Sequence, residues 1–71
     1  MIQDEQLEHY RQSGERVRIV RDAIELNDVM GIVVAWDEKH VAIRRMNKRV
    51  VKVSRAHHME AATDPRGSYI E

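Results

Sequence analysis

Two apolar segments separated by a short polar turn most constrain what this chain can fold into. Residues 29–36 are almost all apolar, and residues 40–46 return with Val41 and Ile43 at alternate positions. Period-two patterns rich in β-branched residues are typical of strands that bury at least one face. The intervening Asp37-Glu38-Lys39 is typical of a turn. Gly31, near the start of the first segment, indicates a bend or a close backbone approach.

A helix and a strand are predicted before this hairpin. Residues 3–13 carry acids near their start and Arg11 near their end, which suits the helix dipole, and Gly14 follows as the expected cap. Residues 15–21 alternate between valine or isoleucine and arginine, as a half-buried strand does. Asn27-Asp28 then indicates a turn before the second strand.

Two more strands are predicted after the hairpin. Met46 to Arg49 form a tight turn, and residues 49–54 alternate as a fourth strand. Residues 55–58 are expected to form one turn of 3₁₀ helix. Residues 59–63 would make a weak fifth strand, because alanines are poor strand formers.

The predicted fold is mainly β: a small SH3-like or Sm-like five-stranded antiparallel barrel with a short N-terminal α-helix. Short strands around a small core favour closure, since closure removes exposed edges. We expect one domain over residues 1–63 and a flexible C-terminal tail over residues 64–71. The side chains that can share the inner face are Val17, Ile19, Val33, Val41, Ile43, Val51 and Val53.

The composition predicts the compartment and the assembly of the protein. The chain has 71 residues and no cysteine, so no disulfide supports its small core. No segment approaches the roughly 20 apolar residues of a membrane helix, and the acidic N-terminus lacks the basic and apolar regions of a signal peptide. We therefore expect a cytoplasmic protein with no membrane role, in which self-association supplies additional burial.

Charge is unevenly distributed although the formal net charge is zero. Residues 1–38 carry nine acids and four bases, whereas residues 39–58 carry seven bases and no acid. A basic block on folded strands can follow a phosphate backbone. It can equally be a solvated face whose lysines and arginines protect a sheet edge from aggregation.

The spacing from Gly31 onward resembles a family signature. An apolar residue follows at plus two, Trp36 at plus five, Asp37 at plus six, and apolar residues at plus ten and plus twelve. This spacing is similar to the first signature of the Sm-like proteins, and most similar to that of the bacterial Hfq family of RNA chaperones. The preceding helix and Val-x-Ile strand agree, so the resemblance covers about residues 5–55.

The resemblance implies an RNA-binding homo-oligomer. The Hfq family ends its fourth strand with Tyr-Lys-His, whose lysine and histidine face a uridine. Here Arg55 stands for the lysine and His57, displaced by one position, for the histidine, and the tyrosine is missing. Together with the basic block, the predicted nucleic-acid-binding residues are Arg44, Arg45, Lys48, Arg49, Lys52, Arg55 and His57.

Other chemistries find little support in the sequence. His57 and His58 are adjacent, so on a strand they would point to opposite faces, and we predict no metal site. No catalytic triad, paired carboxylates or glycine-rich phosphate loop can be identified, so we predict neither an enzyme nor a cofactor. Trp36 either packs at the end of the barrel or stacks on a base.

The alternative function of the chain is an SH3-like protein-interaction or assembly module with a protein partner and no nucleic-acid role.

Overall fold

The computed structural model describes residues 1–66 as an antiparallel sheet of five strands with one short helix at the N-terminus. The sheet has the strand order β4-β3-β2-β1-β5. A single turn of 3₁₀ helix, Glu25–Asn27, lies between the first two strands. The other elements are α1 (Asp4–Ser13), β1 (Val17–Val20), β2 (Val29–Trp36), β3 (His40–Arg44), β4 (Val50–Ser54) and β5 (His58–Ala61).

The predicted fold class is confirmed in its coarse form. The protein is mainly β, with five antiparallel strands and a short N-terminal helix, and the second strand has the predicted bounds. β4 and β5 end the strand order, and no backbone ladder joins them within residues 1–66. Closure of the sheet into a barrel therefore stays a prediction.

The helix α1 has the ends that its sequence predicts. The side-chain oxygen of Gln6 accepts a hydrogen bond from the backbone N–H of Gln3 at 2.9 Å, which satisfies one free donor at the N-terminus. At the other end Gly14 adopts a left-handed conformation, with φ of 70°, and its N–H donates to the carbonyl of Tyr10. Leu7 is fully buried, so α1 is held by packing on the sheet rather than by helix propensity alone.

Strand β2 bends and exchanges partners along its length. Residues 29–31 pair with β1, and residues 32–36 pair with β3. The pairing register shifts between Val33 and Ala35, which is the mark of a β-bulge. A Cβ atom built on Gly31 would overlap the carbonyl oxygen of Arg44 and lie 2.7 Å from Cγ2 of Ile43. The close backbone approach predicted at Gly31 is therefore confirmed.

Six of the seven predicted core residues are buried. The exception is Val51, which is only half-buried because β4 lies at the edge of the sheet, although it still packs against the core. The structure adds core residues that were not among the seven predicted for the inner face. These are Ile2, Leu7, Val20, Val29, Met59 and Ala61.

Two expectations about the connecting segments need correction. Residues 55–57 form a turn rather than a 3₁₀ helix, and β5 begins at His58. The 3₁₀ turn is instead at Glu25–Asn27, where the side chain of Asp22 accepts from the N–H of Ile24 at 2.8 Å and from the amide of Asn27 at 2.9 Å. Local side-chain bonds of this kind stabilise a turn that apolar periodicity cannot predict.

The C-terminal end of the described chain is attached to the connection between β1 and β2. Arg66 donates through Nε to Asp28 at 2.7 Å and through Nη2 to the backbone carbonyl of Asp22 at 3.0 Å. Asp64 contacts the sheet itself, because its backbone carbonyl accepts from Arg18 of β1 at 3.1 Å. The remainder of the predicted flexible tail, residues 67–71, lies outside the described residues.

Within residues 1–66, no helix has the length and apolar character needed to cross a membrane.

Candidate nucleic-acid interface

Five basic side chains project from the hairpin formed by β3 and β4. We call Arg44, Arg45, Lys48, Arg49 and Lys52 the basic hairpin, and all five are exposed. The loop is closed by two backbone bonds of 2.8 Å, from the N–H of Arg45 to the carbonyl of Arg49 and from the N–H of Lys48 to the carbonyl of Arg45. The hairpin geometry thus brings together five of the seven predicted residues.

The charges of the basic hairpin remain available to a ligand. Ion pairs elsewhere in residues 1–66 join arginine or histidine to a nearby carboxylate, but none of them includes a residue of the basic hairpin. The fields of neighbouring cations add. Lys52 also acts on a nearby acid, since its charge helps to lower the pKa of Asp37. This surface can therefore attract a polyanion.

A groove of about 390 Å³ runs beside the exposed edge of β4. Valines of β2 and β4 form its apolar floor, and its rim carries Arg21, Arg45, Lys52 and His57. We call it the edge groove. His57, the sixth predicted residue, is half-buried here, beside two members of the basic hairpin. An apolar floor with a cationic rim suits a flat aromatic group that carries an anion.

Arg55 has a different position from the other predicted residues. Its side chain is only 8% exposed, and its guanidinium donates to the carbonyl of Ile2 at 2.7 Å and to the carbonyl of Asp37 at 2.6 Å. It also pairs with the carboxylate of Asp4 at 2.6 Å. The guanidinium therefore joins the N-terminal segment to the turn between β2 and β3, and we leave it out of the candidate interface.

The acidic turn beside Arg55 is a local structural feature. One carboxylate oxygen of Asp37 accepts from the backbone N–H of Lys39 at 2.9 Å and from that of His40 at 2.7 Å. These two bonds favour the charged carboxylate and lower the pKa of Asp37. Trp36, the preceding residue, is half-buried and packs against the core. Of its two predicted roles, packing is the one that this position supports.

Arg21 is a groove residue that the sequence did not single out. It follows β1 directly, at a point where Val20 has already broken the alternation of arginine with valine and isoleucine. Its place on the rim of the edge groove results from the way the sheet brings the end of β1 close to β4. That proximity is a tertiary contact, so the only available signal was its positive charge.

Neither a metal-binding cluster among the residues that the structure describes nor a similar known protein was found for this chain. Among residues 1–66, no three histidine or acidic side chains lie together in a way that could hold a metal ion. No protein-family model matches this chain, and no curated protein or solved structure resembles it significantly. The similarity to Sm-like proteins therefore rests on the residue spacing alone.

Proposed function

We propose that this chain is an Sm-like small barrel that binds RNA or another single-stranded nucleic acid. The observation that carries the proposal is the basic hairpin: five exposed cations with no ion-pair partner among the described residues, next to a groove with an apolar floor. Phosphates would contact Arg44, Arg45, Lys48, Arg49 and Lys52, and His57 would line the path of the strand.

Basic side chains of this kind suit a phosphodiester backbone. Arginine presents a planar fork of donors that matches two phosphate oxygens, and it also stacks on bases. Phosphate contacts of lysine and arginine release counterions, which supplies most of the affinity of sequence-independent binding. The apolar floor of the edge groove would take a base, which favours single strands with accessible base faces.

The neutral net charge of the chain does not oppose the proposal. Four of the twelve acids are paired with an arginine inside the molecule, and such pairs cancel each other's field. The pairs are Asp4 with Arg55, Glu8 with Arg11, Asp28 with Arg66 and Glu60 with Arg18. The cations of the basic hairpin have no such partner within residues 1–66, so they dominate the field at their own surface.

We expect steeply salt-dependent binding of a short U-rich or A-rich single strand. Each phosphate contact contributes a slope of about −0.7 in log K against log salt for single strands, so removing one cation should flatten the slope by that amount. Fluorescence titration at low and moderate salt would compare the wild type with Arg44→Gln and Arg49→Gln. Both variants should bind more weakly and with smaller slopes.

The matched control is Arg11→Gln, which removes one exposed arginine from the acidic helix α1. It should leave the affinity and the salt slope of the wild type unchanged. No binding at low salt by the wild type would refute the proposal. In that case the basic hairpin protects a sheet edge, and the protein-interaction module becomes the better interpretation.

We also propose that the protein self-associates through the outer edge of β4. This strand pairs on one side only within residues 1–66, so its outer N–H and C=O groups can pair with a strand of a second copy. Sedimentation velocity at tens of micromolar protein should then give a mass above that of the 8.3 kDa chain. A monomer over that concentration range would contradict this part of the proposal without affecting nucleic-acid binding.

A further inference from the structure

Two exposed methionines line a second groove next to the basic hairpin. Met30 on β2 and Met46 in the loop between β3 and β4 share a cavity of about 320 Å³ with Arg16, Arg45 and two polar residues. We call this cavity the methionine groove. Met46 is 77% exposed and Met30 is 37% exposed, so both have apolar surface in contact with water. Exposed apolar surface bordered by polar residues gives a ligand something to cover.

The methionine groove is adjacent to the edge groove. Arg45 lines both of them, so one extended ligand can contact both grooves at this side chain. Arg16, which precedes β1, supplies a second guanidinium to the methionine groove. A groove with two arginines attracts an anion, and its thioethers offer a flexible, polarisable apolar surface.

One acid lines the methionine groove, but its charge is already compensated. Both carboxylate oxygens of Asp28 accept from Arg66, at 2.7 Å from Nε and 3.0 Å from Nη2. Its side chain is only 5% exposed. The remaining polar side chain in the lining is Asn47, which is neutral. The groove therefore presents net positive charge beside apolar surface.

We propose that the methionine groove binds an unpaired base of a single-stranded nucleic acid, with the adjoining phosphates on Arg16 and Arg45. The inference rests on the proposed function and extends it to a specific subsite. A thioether makes favourable contacts with an aromatic ring, and Met30 and Met46 can adjust to different bases because the side chain is flexible. A base inside a duplex is covered by its neighbours, so the groove selects single strands without reading their sequence.

Methyl signals of the methionines test the inference directly. The chain has four methionines, and Met59 is buried with 5% exposure, so it serves as an internal reference. With ¹³C-methyl-methionine protein, a single-stranded oligonucleotide should shift the signals of Met30 and Met46 and leave Met59 in place. An abasic strand of equal length has the same phosphates and no bases, so it should bind with much smaller shifts of both signals.

Each outcome separates the inference from the proposed function. If both strands bind with steep salt dependence and Met30 and Met46 stay unmoved, the subsite is wrong and nucleic-acid binding stands. If neither strand binds at low salt, both proposals fail. If the two signals change with protein concentration alone, a second copy of the chain covers the groove, and the inference is overturned.

Substitution of one methionine provides an independent measurement. Met46→Gln should weaken binding of the base-containing strand roughly 5-fold or more, as loss of a base contact does, and leave binding of the abasic strand unchanged. No charge is altered, so the salt slope should stay that of the wild type. The control is Leu26→Gln, which replaces a 95% exposed apolar side chain outside the groove. Equal affinities for Met46→Gln and Leu26→Gln would overturn the inference.

Discussion

Replacing Gly31 by alanine should destabilise the protein strongly, and more than the same substitution at Gly14. The new Cβ would overlap the carbonyl oxygen of Arg44 and approach Cγ2 of Ile43, and neither group can move without disturbing the pairing of β2 with β3. Overpacking against backbone costs about 3 kcal/mol or more. We expect the midpoint of thermal unfolding to fall by more than about 10 °C for a domain of this size.

Gly14→Ala is the matched control for this experiment. Gly14 has φ of 70°, but nothing lies within 4 Å of the position that its Cβ would occupy. The substitution therefore adds only left-handed backbone strain, which costs about 1–2 kcal/mol. Equal losses of stability in the two variants would mean that the contact at Gly31 is not the reason for its glycine.

Arg55→Met should also cause a large loss of stability. The substitution removes the donors that serve the backbone carbonyls of Ile2 and Asp37, and it leaves Asp4 without its partner. Asp4 stays in contact with water, because its side chain is 75% exposed. The cost therefore comes from the two carbonyls left without donors, at about 1–3 kcal/mol each, against a total that is about 5 kcal/mol or more for a small domain. Urea unfolding, followed by the single tryptophan, would measure the change in the free energy of unfolding.

Two variants sharpen the interpretation of Arg55. Arg49→Met removes an exposed arginine and should change the free energy of unfolding by no more than about 0.5 kcal/mol. Arg55→Lys keeps the charge but loses the planar fork, so its stability should fall between those of the wild type and Arg55→Met. The opposite result would be an Arg55→Met protein that has normal stability but no longer binds nucleic acid. Arg55 would then belong to the nucleic-acid interface, as its sequence position predicts.

Local patterns predicted the sheet well because its strands are regular. The alternation in residues 29–36 determined both the bounds of β2 and the buried face that includes Val33. Gly31 was predicted to permit a close approach, and the structure identifies Arg44 as its neighbour. The helix α1 followed from its charges and from Gly14, because capping depends on a few adjacent residues.

Features that depend on distant contacts were not predictable in the same way. Ile2 is 2% exposed although it lies in a polar segment without periodicity, because α1 places it against the sheet. Arg55 looks like a surface cation in the sequence, and only its buried contacts with Ile2 and Asp37 reveal a structural role. The two grooves likewise need residues from separate strands, so neither the charge of Arg21 nor the apolar side chain of Met30 was enough to predict its position.

The contact between Ile2 and Arg55 has a consequence for the order in which the chain folds. It joins residues 53 positions apart, whereas the pairing of β3 with β4 joins residues that are close in the chain. Closing a longer loop costs more conformational entropy, and distant contacts form more slowly than local ones. The hairpin with the basic residues can thus form early, while the N-terminal segment docks late. The basic hairpin is therefore the part of the proposed interface whose formation depends least on the two ends of the chain.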